Sequence, residues 1–241
     1  RPTETIIYTA HWDHLGVNAE ILGDNIYNGA ADNATGTAAL LAMAKMHADA
    51  GPAPRSVVFL AVTAEESGLL GSRWYTEHPV FPLATTVANI NIDVLNTYGP
   101  MHDIVVVGNG SSELEAYLEE AATAQGRYIV EEPNPERGYY YRSDHFNFAK
   151  AGVPALYAES GEDSVEFGKK WGAEQAQDYN ENRYHAPSDE YDPNWNLEGA
   201  AQDILLYFDV ASKLSRESSF PNWLEGNEFK GIRDATSSSR P

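Results

Sequence analysis

Six side chains with nitrogen or oxygen donors, five of them a candidate ligand set beside Glu65, fall where the chain leaves a strand-like run or turns through a loop. His11 heads the segment His11-Trp12-Asp13-His14, directly after the β-branched run at residues 5–10. Glu65 and Glu66 follow a second run at 56–63, and Asp93 falls near the end of a third at 87–94. Asp32 lies in the Gly- and Asn-rich loop 28–36, and His185 in the segment Tyr184-His185-Ala186-Pro187-Ser188-Asp189. Two imidazoles and three carboxylates suit a pair of zinc ions, because Zn2+ takes both donor types at about 2.0–2.2 Å. One carboxylate must bridge, since cations roughly 3.5–4 Å apart repel unless an anion lies between them. A water shared by two such ions has its pKa lowered toward neutrality, so a nearby carboxylate can take its proton and pass it to a leaving amine. Taken singly these residues have ordinary explanations: a hydrogen-bonded histidine, a solvated helix start, turn chemistry. Five of them at strand ends point to a metal centre.

The elements that would position these donors follow from periodicity. Short buried strands are expected at 5–10, 56–63, 87–94, 104–107 and 154–158. Helices are expected at 34–50, 68–78, 111–125 and 197–214, where apolar residues recur every three or four positions. Strands separated by helices predict a three-layer α/β/α sandwich, a twisted and mostly parallel sheet covered on both faces. In such folds the chemistry gathers at the carboxyl ends of the strands. Residues 1–217 carry this pattern, and from 218 to 241 it fades into Ser, Asn, Gly and Pro with scattered aromatics, the mark of a docked or frayed tail.

Composition narrows the function further. With 36 acidic and 16 basic side chains in 241 residues, the net charge of −20 repels nucleic acid and attracts metal ions and free amines. The absence of cysteine excludes disulfides, thiolate nucleophiles and sulfur-ligated zinc. No apolar run approaches the ~20 residues that span a bilayer. The chain opens on Arg1-Pro2-Thr3-Glu4 and enters a strand at once, so we expect a processed or excised piece and a secreted or periplasmic location. The oligomeric state is left open.

The sequence resembles the co-catalytic zinc aminopeptidases of metallopeptidase family twenty-eight, relatives of bacterial leucyl aminopeptidase and glutamate carboxypeptidase. The likeness covers about residues 5–214. It rests on His-x-Asp at His11 and Asp13, the glycine-rich segment around Asp32, Glu65-Glu66, Asn-x-Asp at Asp93, Ser143-Asp144-His145, and Tyr184-His185 before Pro-x-Asp. The resemblance implies the zinc-dependent exopeptidase fold with antiparallel strands at one sheet edge, and two zinc ions per chain. It implies that Asp32 bridges, that Glu66 and His185 complete one ion, and that His11 and Asp93 complete the other. It makes Glu65 the general base and Tyr184 a hydrogen-bond donor to the developing oxyanion. Independently, extended neighbours face opposite sides, so Glu66 would bind metal while Glu65 addresses the water. Asp13 is the expected acceptor fixing the His11 tautomer. His14 competes with His11 for the same role, and the family pattern favours His11.

The resemblance places Ser143-Asp144-His145 near the substrate, and we expect Tyr140, Arg142, Asp144, His145 and Phe146 to line its pocket. Three consecutive residues cannot form a hydrolase triad. The expected substrate is a peptide with a free amino terminus, preferably apolar there. Two other activities on the same fold compete: a carboxypeptidase of the glutamate carboxypeptidase type, for which Arg137 and Arg142 would have to clamp a carboxylate, and a single-zinc glutaminyl cyclase, which lacks the counterpart of His11. A receptor-type ectodomain that has lost its ligands is a third alternative, disfavoured because this chain keeps them all.

Overall fold

The computed structural model describes residues 1–240. The chain runs β1 (Thr5–His11), β2 (Gly16–Val17), β3 (Ile26–Tyr27), α1 (Gly36–Ala50), β4 (Ser56–Val62), α2 (Leu70–Glu77) and β5 (Thr86–Asn91). It continues through β6 (Asp103–Val106), α3 (Leu114–Ala124), β7 (Tyr128–Glu131), α4 (His145–Lys150), β8 (Ala155–Ser160), α5 (Gly168–Asn182), α6 (Glu198–Arg216) and α7 (Lys230–Ala235). The main sheet has the order β4-β1-β5-β8-β6-β7. β4, β1, β5 and β8 are parallel, while β6 runs antiparallel to β8 and carries β7 parallel to itself. The sheet is therefore mixed, with the reversed pair at one edge. Because β1, β4 and β5 run the same way, the residues that follow them emerge at a single edge.

Alternation along β1 shows how the layers are held. Ile6, Tyr8 and Ala10 point into the larger core with Leu40, Met43, Leu206, Tyr207 and Val210, which lies under α1, α3 and α6. Ile7 points the other way, to Tyr75 of α2, Phe148 of α4 and Val153. In α6 the buried positions Leu206, Tyr207, Val210, Ala211 and Leu214 recur at three- and four-residue intervals and form one apolar stripe. No helix among the described residues is long and apolar enough to cross a membrane.

The C-terminal segment is packed onto the body. Trp223 and Arg233 are each only 1% exposed. The Trp223 indole donates to the Gly152 carbonyl at 3.2 Å, and the Arg233 guanidinium donates to the carbonyls of Thr86 at 2.8 Å and Val87 at 3.2 Å. The expected third strand, 87–94, stops at Asn91, which leaves Asp93 in the irregular segment beyond it. α5 has no counterpart among the expected helices: of its 15 residues only Gly172 and Tyr179 are buried, too few to leave a stripe.

Candidate metal centre

Each donor is fixed by the backbone around it. His11 is the last residue of β1, and its Nδ1 lies 3.0 Å from the main-chain carbonyl of Asp13. That contact directs Nε2 toward the centre. Asp13 thus holds the tautomer, but through its carbonyl rather than its carboxylate, which has one oxygen buried without a partner. Asp32 sits in a wide turn ahead of α1 that is pinned from two sides. The Asn33 amide donates to the Ile92 carbonyl at 2.9 Å, and its oxygen accepts from the N–H groups of Gly36 at 2.9 Å and Val94 at 3.2 Å. A side chain at Gly36 would collide with that amide. From the other side, fully buried Asp189 accepts the N–H of Ala31 at 2.9 Å and that of Asp32 at 3.0 Å. Asp189 stands four residues after His185, so one carboxylate ties together the loops of two ligands. Asp93 is held by Ser143, whose hydroxyl donates to Oδ2 at 2.6 Å and in turn accepts from Asn91 Nδ2 at 2.7 Å.

Left-handed backbone marks the same region. Ala64 (φ 57°), Val94 (φ 58°) and His185 (φ 55°) are non-glycine residues in that conformation, and each is a donor or adjoins one of the site residues. Such residues persist only where the surroundings over-determine them, which is common at functional sites. The Glu65–Glu66 pair, expected in extended chain, instead lies in a turn whose Glu65 carbonyl accepts the N–H groups of Gly68 and Leu69. Both side chains face the cavity from that turn rather than alternating across a strand.

The donor atoms converge. Asp32 presents one oxygen to each of two imidazoles: Oδ1 is 3.2 Å from His11 Nε2, and Oδ2 is 3.2 Å from His185 Nε2. His11 Nε2 is also 3.2 Å from Asp93 Oδ1, and His185 Nε2 is 3.1 Å from Glu66 Oε2. Donors bound at about 2.0–2.1 Å to one tetrahedral ion lie roughly 3.3 Å apart, so these separations are those of donors that can share a metal ion. A donor set of nitrogen and carboxylate oxygen without sulfur fits zinc.

Electrostatics agree with the geometry. Burial alone would lower the His11 pKa, but Asp32 and Asp93 lift it to about 12. Contacts with Asp32 and Glu66 raise His185 to about 10. Burial would raise the Asp32 carboxyl, yet His11 and His185 hold it well below its usual range. The pocket therefore takes up positive charge, and protons on imidazole occupy the place a metal ion would claim. Glu65 goes the other way: burial, then the charges of Asp93 and neighbouring carboxylates, raise it to about 9. That holds for the metal-free site; cations bound beside the carboxyl would lower it toward the range in which it can both take and return a proton.

The centre opens into a cavity of about 850 Å3, within the range of small-ligand sites. Arg142 and Phe146 line it as expected, together with Tyr139, Tyr141 and Tyr184. Tyr184 stacks on the His185 ring at 3.9 Å. Tyr140, Asp144 and His145 do not line it. His145 is fully buried between the rings of Tyr140 and Tyr157, at 4.9 and 5.0 Å. Asp144 accepts from Ser72 Oγ in the interior. Tyr140 packs against Gly108, where a Cβ would strike its ring. Aromatic packing turns Tyr140 and His145 inward, and the Ser72 hydroxyl holds Asp144 there. His14, the rival of His11, is not displaced from the centre: its Nδ1 lies 2.9 Å from Glu66 Oε1.

This is an α/β protein with a two-sided carboxylate and imidazole centre at the C-terminal edge of its parallel strands. It belongs to peptidase family M28, whose sequence profile matches residues 1–209. Aminopeptidase YwaD of Bacillus subtilis is 29% identical over 186 residues, covering 76% of this chain and 36% of YwaD. The solved structure of BSAP, a zinc aminopeptidase from Bacillus subtilis, superposes with a TM-score of 0.66 at 23% identity, over 94% of this chain and 48% of BSAP. A glutaminyl cyclase from Bacteroides thetaiotaomicron shares the fold with a TM-score of 0.61 at 15% identity, over 88% of this chain and 73% of the cyclase. The chain thus spans about a third of the length of YwaD and about half that of BSAP.

Proposed function

We propose that this chain hydrolyses the amino-terminal residue of peptides at a pair of zinc ions. The observation that carries the reading is Asp32, whose two oxygens each lie 3.2 Å from a different imidazole. His11 and Asp93 would hold one ion with Asp32, and Glu66 and His185 the other. Paired zinc ions, when bound, supply Lewis acidity that lowers the pKa of a water and polarises a carbonyl. Glu65 takes the proton of the attacking water and returns it to the nitrogen that leaves. The Tyr184 hydroxyl, held over the centre by stacking on His185, donates to the oxygen that gains charge. Ser143 and Asp189 move no proton; they keep Asp93 and Asp32 in place.

A free ammonium is the charged end of the substrate. The net charge of −20 concentrates cations near the protein. The guanidinium groups that a carboxylate clamp would need both lie against one ring: Arg137 donates to the Tyr139 hydroxyl at 3.1 Å, and Arg142 lies 5.4 Å from the centre of that ring. Tyr139, Tyr141 and Phe146 on the cavity wall favour an apolar amino-terminal side chain. The cyclase alternative leaves His11 without a task.

The test compares three substrates with and without chelator: Leu-p-nitroanilide, its N-acetylated form, and an N-blocked dipeptide ending in Glu. Cleavage of the first alone, abolished by chelator, supports the reading. Preference for the blocked dipeptide, or activity that survives chelation, overturns it. Cyclisation of an amino-terminal Gln in place of hydrolysis would assign the chain to the cyclase class.

A further inference from the structure

We propose that Glu159 receives the free α-ammonium of the substrate, and that Val105 and Val130 beside it carry the side chain of the same residue. The inference rests on the aminopeptidase reading and names the group that holds the end of the peptide. Glu159 lies near the end of β8, half-buried, and lines the cavity. Its Oε1 accepts the Tyr157 hydroxyl. Its Oε2 has no hydrogen-bond partner among the described residues, and neither oxygen takes part in an ion pair there. The basic side chains of the cavity are turned elsewhere: Arg73 pairs with Glu77 at 2.9 Å, Lys150 lies 4.8 Å from the centre of the Phe146 ring, and Arg137 and Arg142 lie against Tyr139. A carboxylate drawn partly out of water without a counter-charge is costly, and a ligand cation would offset that cost. In the metal-free site burial, opposed by the Tyr157 hydroxyl and aided by the charges of Asp93 and Glu132, pushes the Glu159 carboxyl up to about 7.

Strand register fixes where that carboxylate stands. Asn91 of β5 pairs with Tyr157 of β8, and Asp93 and Glu159 each follow two residues farther on, so the two carboxylates leave adjacent strand ends. On its other side Glu159 pairs with Val105 of β6, and Val105 pairs with Val130 of β7. Residues in register on neighbouring strands share a face, so Glu159, Val105 and Val130 form one row across the cavity floor. Strands lie about 4.8 Å apart, which puts Glu159 one step from Asp93 and the valines two and three steps away. An aminoacyl group has the same order. With its carbonyl at the metal ions, its α-nitrogen is two bonds away, within ~3 Å of the carbonyl carbon, and falls at the first step. Its side chain extends past that point over the valines. The ammonium of a lysine side chain, on its flexible four-carbon stem, would overshoot Glu159 and land on the apolar floor.

The test is calorimetric titration of the zinc-loaded protein with leucine hydroxamate, its des-amino analogue 4-methylpentanoyl hydroxamate, and lysine hydroxamate. The hydroxamate group binds zinc in all three, so the first two differ only in the ammonium. The wild type should bind leucine hydroxamate about 10- to 100-fold more tightly than the des-amino compound, and Glu159→Gln should erase that advantage while binding the des-amino compound within about twofold of the wild type. Glu159→Asp, which keeps the charge but withdraws it by one methylene, should fall between. Equal binding of the two compounds by the wild type overturns the assignment, whether or not either variant folds. Equal losses for both in Glu159→Gln, or a loss confined to lysine hydroxamate, overturn it as well. Hydrolysis of Leu-p-nitroanilide by the wild type is followed beside the titrations. A protein that shows the ammonium preference but cleaves nothing overturns the aminopeptidase reading and leaves Glu159 as the ammonium's partner.

Discussion

Asp189→Asn isolates a residue that touches neither substrate nor metal. The carboxylate is fully buried and accepts two main-chain N–H groups from the Asp32 turn, at 2.9 and 3.0 Å, while its own carbonyl accepts the N–H of Ala30 at 3.1 Å. Asparagine keeps the shape but has one acceptor oxygen, so one main-chain N–H must face an NH2 group. Hydrogen bonds to a charged partner contribute about 1.5–3 kcal/mol, and a buried donor left unmet costs about 1–3 kcal/mol. These are two views of much the same loss, so about 2–4 kcal/mol is expected. At roughly 2–4 °C per kcal/mol for a chain of this size, Tm should fall by about 5–15 °C. Thermal unfolding of the chelator-treated protein reads this directly, free of any metal contribution. Zinc titration should then show weaker binding, because the displaced turn carries Asp32. Asp178→Asn is the control: it removes an exposed pair with Arg183 at 3.0 Å and should cost less than about 1 kcal/mol. If Asp189→Asn melts within about a degree of the wild type and binds zinc equally well, Asp189 does not hold the turn.

Glu65→Gln should lower kcat by about 100- to 10,000-fold while leaving zinc content unchanged, measured by steady-state kinetics beside elemental analysis; loss of zinc in step with activity would make Glu65 a ligand instead. In the metal-free protein the folded state keeps protons on His185 up to about pH 10, on His11 up to about 12 and on Glu65 up to about 9, well above the usual values of these groups. The unfolded chain releases them earlier, so metal-free stability should fall as pH rises from about 6.5 to 10. Urea midpoints at pH 6.5, 8 and 10 test this. Zinc should reverse the trend, since it displaces those protons and binds better as they leave. Trp223→Ala, which empties a buried indole site, should cost about 3–5 kcal/mol in urea unfolding, and a loss under 1 kcal/mol would show the C-terminal segment to be peripheral.

The donors were legible because parallel strands announce themselves as short β-branched runs and end at a common edge. His11, Glu66 and Asp93 each follow such a run, so linear order alone brings them near one another. The run at 104–107 marked β6, but its reversed direction was expected only through the resemblance, and β7 left no comparable trace. α5 was invisible for want of a stripe. The supporting bonds were harder to see. Asp189 reads as an ordinary turn residue until the chain closes and sets it against the N–H groups of Ala31 and Asp32, 157 and 158 positions away. His11 and His14 looked like alternatives because a strand end was expected to present one imidazole. The chain bends after β1 and brings both to the same carboxylate-lined centre. Tyr140 and His145 were misplaced for a related reason: aromatic residues near a site serve its walls or the core behind them, and only packing decides between the two.

The most direct measurement is the rate of Leu-p-nitroanilide hydrolysis as zinc is returned stepwise to chelated protein. The two-ion centre requires negligible activity without metal and a plateau when two equivalents are bound. Full activity in the chelated protein, or a plateau at one equivalent with no further zinc taken up, would contradict it.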